Sequence, residues 1–291
     1  MSNFIQFLKA GDASPRLGVV RGQHVIDLTD AAPTLPRELS ALFADNQAGL
    51  KQATAVAAAA PEGNDLVLNA VRLLPPIMRP SKIVCLGLNY ADHAAEGGHA
   101  RPDYPSFFMR GASSLIAHNA PLIRPKASTK LDFEAEVAVI IGQTCRHLTA
   151  DNALDAVAGY ACFNDGSLRD YQRKTNQWTI GKNFDGTGAF GPWFVPAADL
   201  PAGAVGLKIE SRLNGKVMQS SNTSNMLFPV AETLCLITEA MTLEPGDVII
   251  MGTPAGVGYA RTPPVWMQPG DRIEIEIEGM GILGNTIADE V

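Results

Sequence analysis

The amino-acid sequence predicts an α+β chain, predominantly β, and three observations carry that expectation. Several segments alternate apolar and polar residues at period two, most strictly over Arg272 to Glu278. Most apolar runs are short and bounded by glycine, proline or aspartate, and 27 glycines with 20 prolines call for many turns. The regular strand-helix alternation of a doubly wound sheet is missing, as is any internal repeat.

Taken in order, residues 4 to 28 break at the turns Gly11 to Pro15 and Arg21-Gly22-Gln23, the pattern of a short antiparallel meander. Residues 36 to 60 are rich in leucine and alanine and read as helical, ending at Pro61. Leu73 to Pro80 contains three prolines and forms an extended connector, which divides a small N-terminal α/β domain, residues 1–75, from a larger domain, residues 76–291. Strands are then expected over Lys82 to Leu88, Leu131 to Ile141, Ala158 to Asn164, Val205 to Leu213, Asp247 to Met251 and Arg272 to Glu278. In the last, Ile273, Ile275 and Ile277 face one way and four charged residues the other, so the strand is half-buried. Helices are expected at Asp151 to Val157, introduced by Thr149, and at Pro229 to Ala240.

Composition narrows the function classes. A net charge of -7 and a pI near 5.3 argue against a nucleic-acid partner, which calls for a basic face. No run approaches the roughly 18 uninterrupted apolar residues of a membrane span, and the N-terminus lacks the pattern of a secretory signal. A soluble cytoplasmic protein is the expectation. Cys85, Cys145, Cys162 and Cys235 form no C-x-x-C pair, which fits buried free thiols rather than a zinc or redox motif.

Chemistry concentrates in two places. In a strand, Asp132, Glu134 and Glu136 project from one face. Neighbouring carboxylates repel one another unless a cation, a basic partner or a shared proton compensates, and Mg²⁺ or Mn²⁺ suits such oxygen ligands. A solvated strand face explains the same spacing, as it does for Glu274, Glu276 and Glu278. The second place lies where the run Tyr160 to Asn164 ends at Asp165-Gly166, putting a carboxylate where a strand enters a loop. Polar residues follow from Ser167 to Gln172 and Thr179 to Gly188, bounded by the apolar Phe190 to Phe194.

The segment Asn89 to Glu96, the Glu134/Glu136 pair, Phe163-Asn164-Asp165, Gly181-Lys182, Pro245-Gly246-Asp247, Gly252 to Gly258 and Gly270-Asp271 fall in the order seen in the fumarylacetoacetate hydrolase family, which residues 80 to 290 resemble. The resemblance implies a mixed β-roll/β-sandwich catalytic domain, a homodimer and a Mg²⁺ or Mn²⁺ site formed by Glu134, Glu136 and Asp165. It also implies that His93 and Glu96, on a lid, activate water, and that Lys182 stands beside the metal to stabilise a developing enolate. Residues three apart lie on one face of a helical turn, so Glu96 can orient the His93 imidazole. Arg169, Gln172 and Thr253 match substrate-contacting positions. Arg110 replaces a common lysine and offers a two-pronged guanidinium for a distal carboxylate, or a structural role. His24, His99, His118 and His147 are read as structural. Asn89 stands where the animal enzymes carry a further carboxylate, and with the short N-terminal segment this points away from fumarylacetoacetate itself.

The expected reaction is therefore C–C bond hydrolysis of an acylpyruvate-type 2-oxo acid through a metal-stabilised enolate, in aromatic or sugar-acid catabolism. Decarboxylation of oxaloacetate or isomerisation of a hydroxymuconate-like acid comes next, since the enolate platform is common to all three. A non-catalytic small-molecule binding protein is the alternative from another class.

Overall fold

Among the described residues twelve strands form one large sheet, into which the N-terminal segment is built edge to edge. The structure, a computed structural model, describes residues 2–61, 65–92 and 103–291. The strands Asn3–Leu8, Arg16–Arg21 and His24–Asp27 form the expected meander, and Asn3–Leu8 also pairs antiparallel with Gly188–Pro196 at Phe4 and Phe194. From there the sheet continues through Val157–Asp165, Ala135–Ile141, Val248–Ile250, Ile83–Gly87 and Ser106–Arg110.

A second sheet of five strands runs Lys216–Asn222, Lys208–Leu213, Arg272–Ile277, Gly281–Asp289 and Leu122–Arg124. Its inner face, with Ile209, Ile273, Ile275 and Ile277, packs on Val137, Val139 and Cys162 of the large sheet. Burial of this apolar layer is the main drive for the sandwich. The polar parity of Arg272–Ile277 behaves as the alternation predicts. Arg212 on the neighbouring strand bonds Glu274 at 3.2 Å and Glu276 at 2.6 Å, so these acids form a solvated charge ladder.

Residues 1–75 and 76–291 share a core on the other side of the large sheet. Phe4, Leu39, Leu42 and Phe43 pack with Ile83, Cys85, Phe163, Phe190 and Phe194. The connector around Pro75 and Pro76 thus separates two stretches of sequence that are continuous in packing. Residues 36 to 60 are helical in two pieces, a 3₁₀ turn Leu39–Phe43 and the α-helix Ala44–Ala59.

Two expectations need correction. Residues 151 to 157 hold only a 3₁₀ turn, Ala153–Ala156. Thr149 serves a tight turn, its N–H donating to Asn152 Oδ1 at 2.8 Å and its carbonyl accepting from Asn152 and Ala153. The expected strand Leu131 to Ile141 is broken at Phe133 and Glu134, leaving Leu131–Asp132 paired with Ser167–Leu168 and a separate strand Ala135–Ile141. Asp132 therefore leaves the face of the two glutamates. The helix Val230–Ala240 forms as expected.

Candidate metal and substrate site

The break at Phe133 and Glu134 builds the site. Glu134 N–H donates to Asn164 Oδ1 at 3.0 Å, and its carbonyl accepts from Asp165 N–H at 3.0 Å. These bonds lock the start of one strand against the end of its neighbour, so the Glu134, Glu136 and Asp165 side chains converge. One ligand oxygen from each lies within 4.8 Å of the others, and all three residues are buried.

Charge counting shows what this cluster needs. Among the described residues four buried acids, Asp132, Glu134, Glu136 and Asp165, face three buried cations, Arg110, Arg169 and Lys182. Lys182 donates to Asp165 Oδ2 at 2.6 Å and to Glu134 Oε2. Burial alone would depress its pKa, but Asp165 and Glu134 outweigh that and raise it, so Lys182 is a fixed cation. Arg169 spans Asp132 at 2.8 Å and Glu134 at 2.5 Å, and Arg110 pairs with the far oxygen of Asp165. Among the described residues Glu136 has no ion pair, and it accepts Gly252 N–H at 2.6 Å. Gly252 holds that orientation at φ +84°, where a side chain would also crowd Asn89 Cβ at 2.7 Å. Burial, then Asp165 and Glu134, push Glu136 well above the ordinary carboxylate range. Three converging carboxylates, one lacking a counter-charge among the described residues, fit a hard divalent cation.

A cavity of about 620 Å³ opens onto the cluster, lined on its inner side by Glu134, Glu136, Arg169, Lys182 and Thr253. Trp178 and Phe108 form one wall, their rings edge to face at 5.8 Å. Gly87 lies under the indole, where an added Cβ would come within 2.1 Å of the ring.

Most residues expected at the site converge here. Glu134, Glu136, Lys182, Arg169, Gln172 and Thr253 line the cavity, and Asp165 lies behind them in the cluster. Gln172 Oε1 accepts from Arg169 at 2.9 Å, and its Nε2 has no protein partner among the described residues. The Thr253 hydroxyl donates to Ala135 O at 2.9 Å and accepts from Gln219 Nε2 at 2.7 Å, so donation to a substrate carboxylate would require breaking the first bond.

Arg110 is placed elsewhere. Its guanidinium bonds Asp165, Gly166 O at 3.2 Å, Thr187 Oγ1 at 3.0 Å and Ser114 Oγ at 3.2 Å, and it does not line the cavity. The structure gives it the role of a support for Asp165. His93 and Glu96 lie outside the described residues. Asn89 is saturated by backbone: its Nδ2 donates to Met251 O at 2.7 Å and Phe228 O at 3.1 Å, and its Oδ1 accepts from Phe228 N–H. It ties two loops together and is no ligand.

Sequence reasoning missed three contributors. Asp132 accepts the N–H groups of Gly258 at 2.7 Å and Tyr259 at 3.1 Å besides bonding Arg169, and so anchors the loop that brings Tyr259 to the cavity. Gln219 and Tyr259 are the other two. Only Asp132 carried a signal, its place in the acidic run.

Comparison with known proteins places the chain among relatives. Residues 82–288 match the model of the fumarylacetoacetate (FAA) hydrolase C-terminal domain. The mitochondrial oxaloacetate tautomerase FAHD2A of Bos taurus is 39% identical over 288 residues, covering 97% of this chain and 90% of its own length. Fumarylacetoacetate hydrolase from the psychrophilic Exiguobacterium antarcticum superposes with a TM-score of 0.82 at 35% identity, covering both chains completely. Maleylpyruvate hydrolase from Sphingobium sp. SYK-6 does so with a TM-score of 0.81 at 30% identity, again over both whole chains. With the family model spanning most of its length, this chain belongs to the fumarylacetoacetate hydrolase family, of which the three relatives named above are enzymes.

Proposed function

We propose that the protein is a metal-dependent enzyme that converts 2-oxo acids through an enolate, with keto–enol conversion of an oxaloacetate-type acid as its first reaction. The observation that carries this reading is the convergence of Glu134, Glu136 and Asp165 beside the cationic Lys182 at the floor of the cavity. A Mg²⁺ or Mn²⁺ ion held by the three carboxylates would supply Lewis acidity toward the carboxylate and keto oxygens of the substrate.

The chain's own residues supply the rest. Lys182 stays protonated between two carboxylates and offers a positive charge to the oxygen that becomes anionic as the enolate forms. Arg169, fixed by Asp132 and Glu134, holds Gln172, whose free amide N–H groups can grip a substrate oxygen. Trp178 and Phe108 shield one side of the cavity, which strengthens every charge interaction inside it.

Enolisation is put ahead of C–C hydrolysis on the strength of one relative. The bovine relative named as an oxaloacetate tautomerase matches nearly the whole chain at 39% identity. Hydrolysis of an acylpyruvate is the second reading, favoured by the full-length likeness to the maleylpyruvate hydrolase.

Purified protein with Mg²⁺ or Mn²⁺, assayed on oxaloacetate and acylpyruvates for enol absorbance, pyruvate and CO₂ separately, tests both. Loss of the enol signal without pyruvate or CO₂ supports the first reading. Release of pyruvate from acylpyruvates supports the second. No metal-dependent change in any of the three signals defeats both.

A further inference from the structure

The cavity carries a cation that the enolate chemistry leaves unused. Arg173 follows the helical turn Arg169–Gln172 and lines the cavity with Tyr259, Thr175 and Asn176. Its guanidinium carbon stands 4.3 Å from the centre of the Tyr259 ring, and that of Arg169 stands 4.5 Å from the same centre. The two arginines are otherwise unlike. Arg169 is buried and is held by Asp132, Glu134 and Gln172. Arg173 is exposed, and among the described residues it has no ion pair and no side-chain hydrogen bond.

Stacking on an aromatic face orients a guanidinium while leaving its N–H groups, which lie in its plane, free to bond at the edge. The Tyr259 ring is itself held by the loop that Asp132 anchors, so the position of Arg173 is tied to the floor of the site. The result is a polarised cavity, with converging carboxylates for a cation at the inner end and a two-pronged cation at the rim. A ligand whose 2-oxo acid head lies on the inner end would present its far end to Arg173.

We propose that Arg173, carried on Tyr259, is a specificity-determining residue that reads a second carboxylate on the substrate, so that the site selects 2-oxo dicarboxylic acids over their uncharged counterparts. This rests on the reading of the site as one for 2-oxo acids. An arginine packed on a tyrosine merely as surface cover would show no preference for substrate charge.

The test compares oxaloacetate with its 4-monoethyl ester, which keeps the enolisable 2-oxo acid head and removes only the distal charge. Enol–keto conversion of each is measured in the presence of Mg²⁺ for the unaltered protein, Arg173→Gln and Arg173→Lys. The unaltered protein is expected to favour the acid, and Arg173→Gln to lower the acid-to-ester ratio of kcat/KM by about tenfold or more, mainly through KM. Arg173→Lys keeps a charge without the planar fork and should fall between. An unaltered protein indifferent to the ester, or a ratio that survives Arg173→Gln, overturns the assignment while leaving the enolate chemistry standing. Conversion of neither compound by the unaltered protein overturns both.

Discussion

Gln219 Nε2 donates to Thr253 Oγ1 at 2.7 Å, and this bond ties the five-stranded sheet to the loop after Val248–Ile250 at the edge of the cavity. The same amide donates to Pro254 O at 2.8 Å, while its Oε1 accepts from Ala135 N–H at 3.0 Å and Ser211 Oγ at 2.9 Å. Both donors and both acceptor positions are used on a residue only 1% exposed. Gln219→Glu keeps the shape but sets an oxygen against Pro254 O and Thr253 Oγ1. The expected cost is about 1–3 kcal/mol of stability, read by chemical denaturation. Activity should fall with it, because Ala135 sits between two of the converging glutamates.

Metal binding should be visible without turnover. A ligand that binds only the folded state stabilises it by about 2.7 kcal/mol at a hundredfold excess over Kd. Mg²⁺ or Mn²⁺ is therefore expected to raise the Tm of the unaltered protein by several degrees. Glu136→Gln, which removes the one cluster carboxylate without a counter-charge among the described residues, should abolish most of that rise. A full rise in Glu136→Gln would exclude this carboxylate as a ligand.

Lys182→Met separates charge from bulk. Removing the ammonium leaves Glu134 and Asp165 short of a partner, so the metal-free variant should lose about 3–5 kcal/mol of stability. Added Mg²⁺ should restore more stability to this variant than to the unaltered protein, because Glu134 and Asp165 have then each lost one cationic partner. Its kcat should nevertheless remain down by at least about 10²-fold, the usual scale for a lost anion-stabilising group. Near-normal kcat would remove Lys182 from the mechanism.

His118 gives the protein an acid-sensitive point far from the cluster. Burial, then the nearby Arg272, lower its pKa from 6.5 to about 4, and its Nδ1 accepts Gly284 N–H at 3.0 Å, which requires the neutral ring. The unfolded chain takes up a proton below its ordinary value while the folded chain resists until about 4. This contribution is thus complete above pH 6.5 and is lost as the pH falls toward 4. His118→Gln should flatten that limb of the stability profile in denaturant titrations run from pH 7 to pH 4; an unchanged slope would rule out His118 as its source.

Local pattern carried a large part of the fold. The alternation of Arg272–Ile277 and the apolar runs of Ile83–Gly87 and Val157–Asp165 report burial directly, because strand period and sheet face are the same fact. Gly188–Pro196 escaped notice because Gly188, Gly191 and Pro192 read as turn residues, although the segment is a central strand. The site was legible to the extent that it follows chain order, as Glu134, Glu136, Asp165 and Lys182 do. Roles set by distant partners were not. Arg110 meets Asp165 across 55 residues and Gln219 meets Ala135 across 84, and no spacing rule reaches so far. The parity argument also failed for Asp132, since period two holds only while a strand remains unbroken.

The seam at Phe4 and Phe194 bears on what proteolysis or truncation would do. Cutting away the first 75 residues would strip partners from Gly188–Pro196 and bare the aromatic surface of Phe163, Phe190 and Phe194. A fragment so trimmed would present a free, sticky margin to its own copies, and self-association into insoluble material should overtake any loss of chemistry. The N-terminal segment thus covers the margin of the sheet that holds the acids.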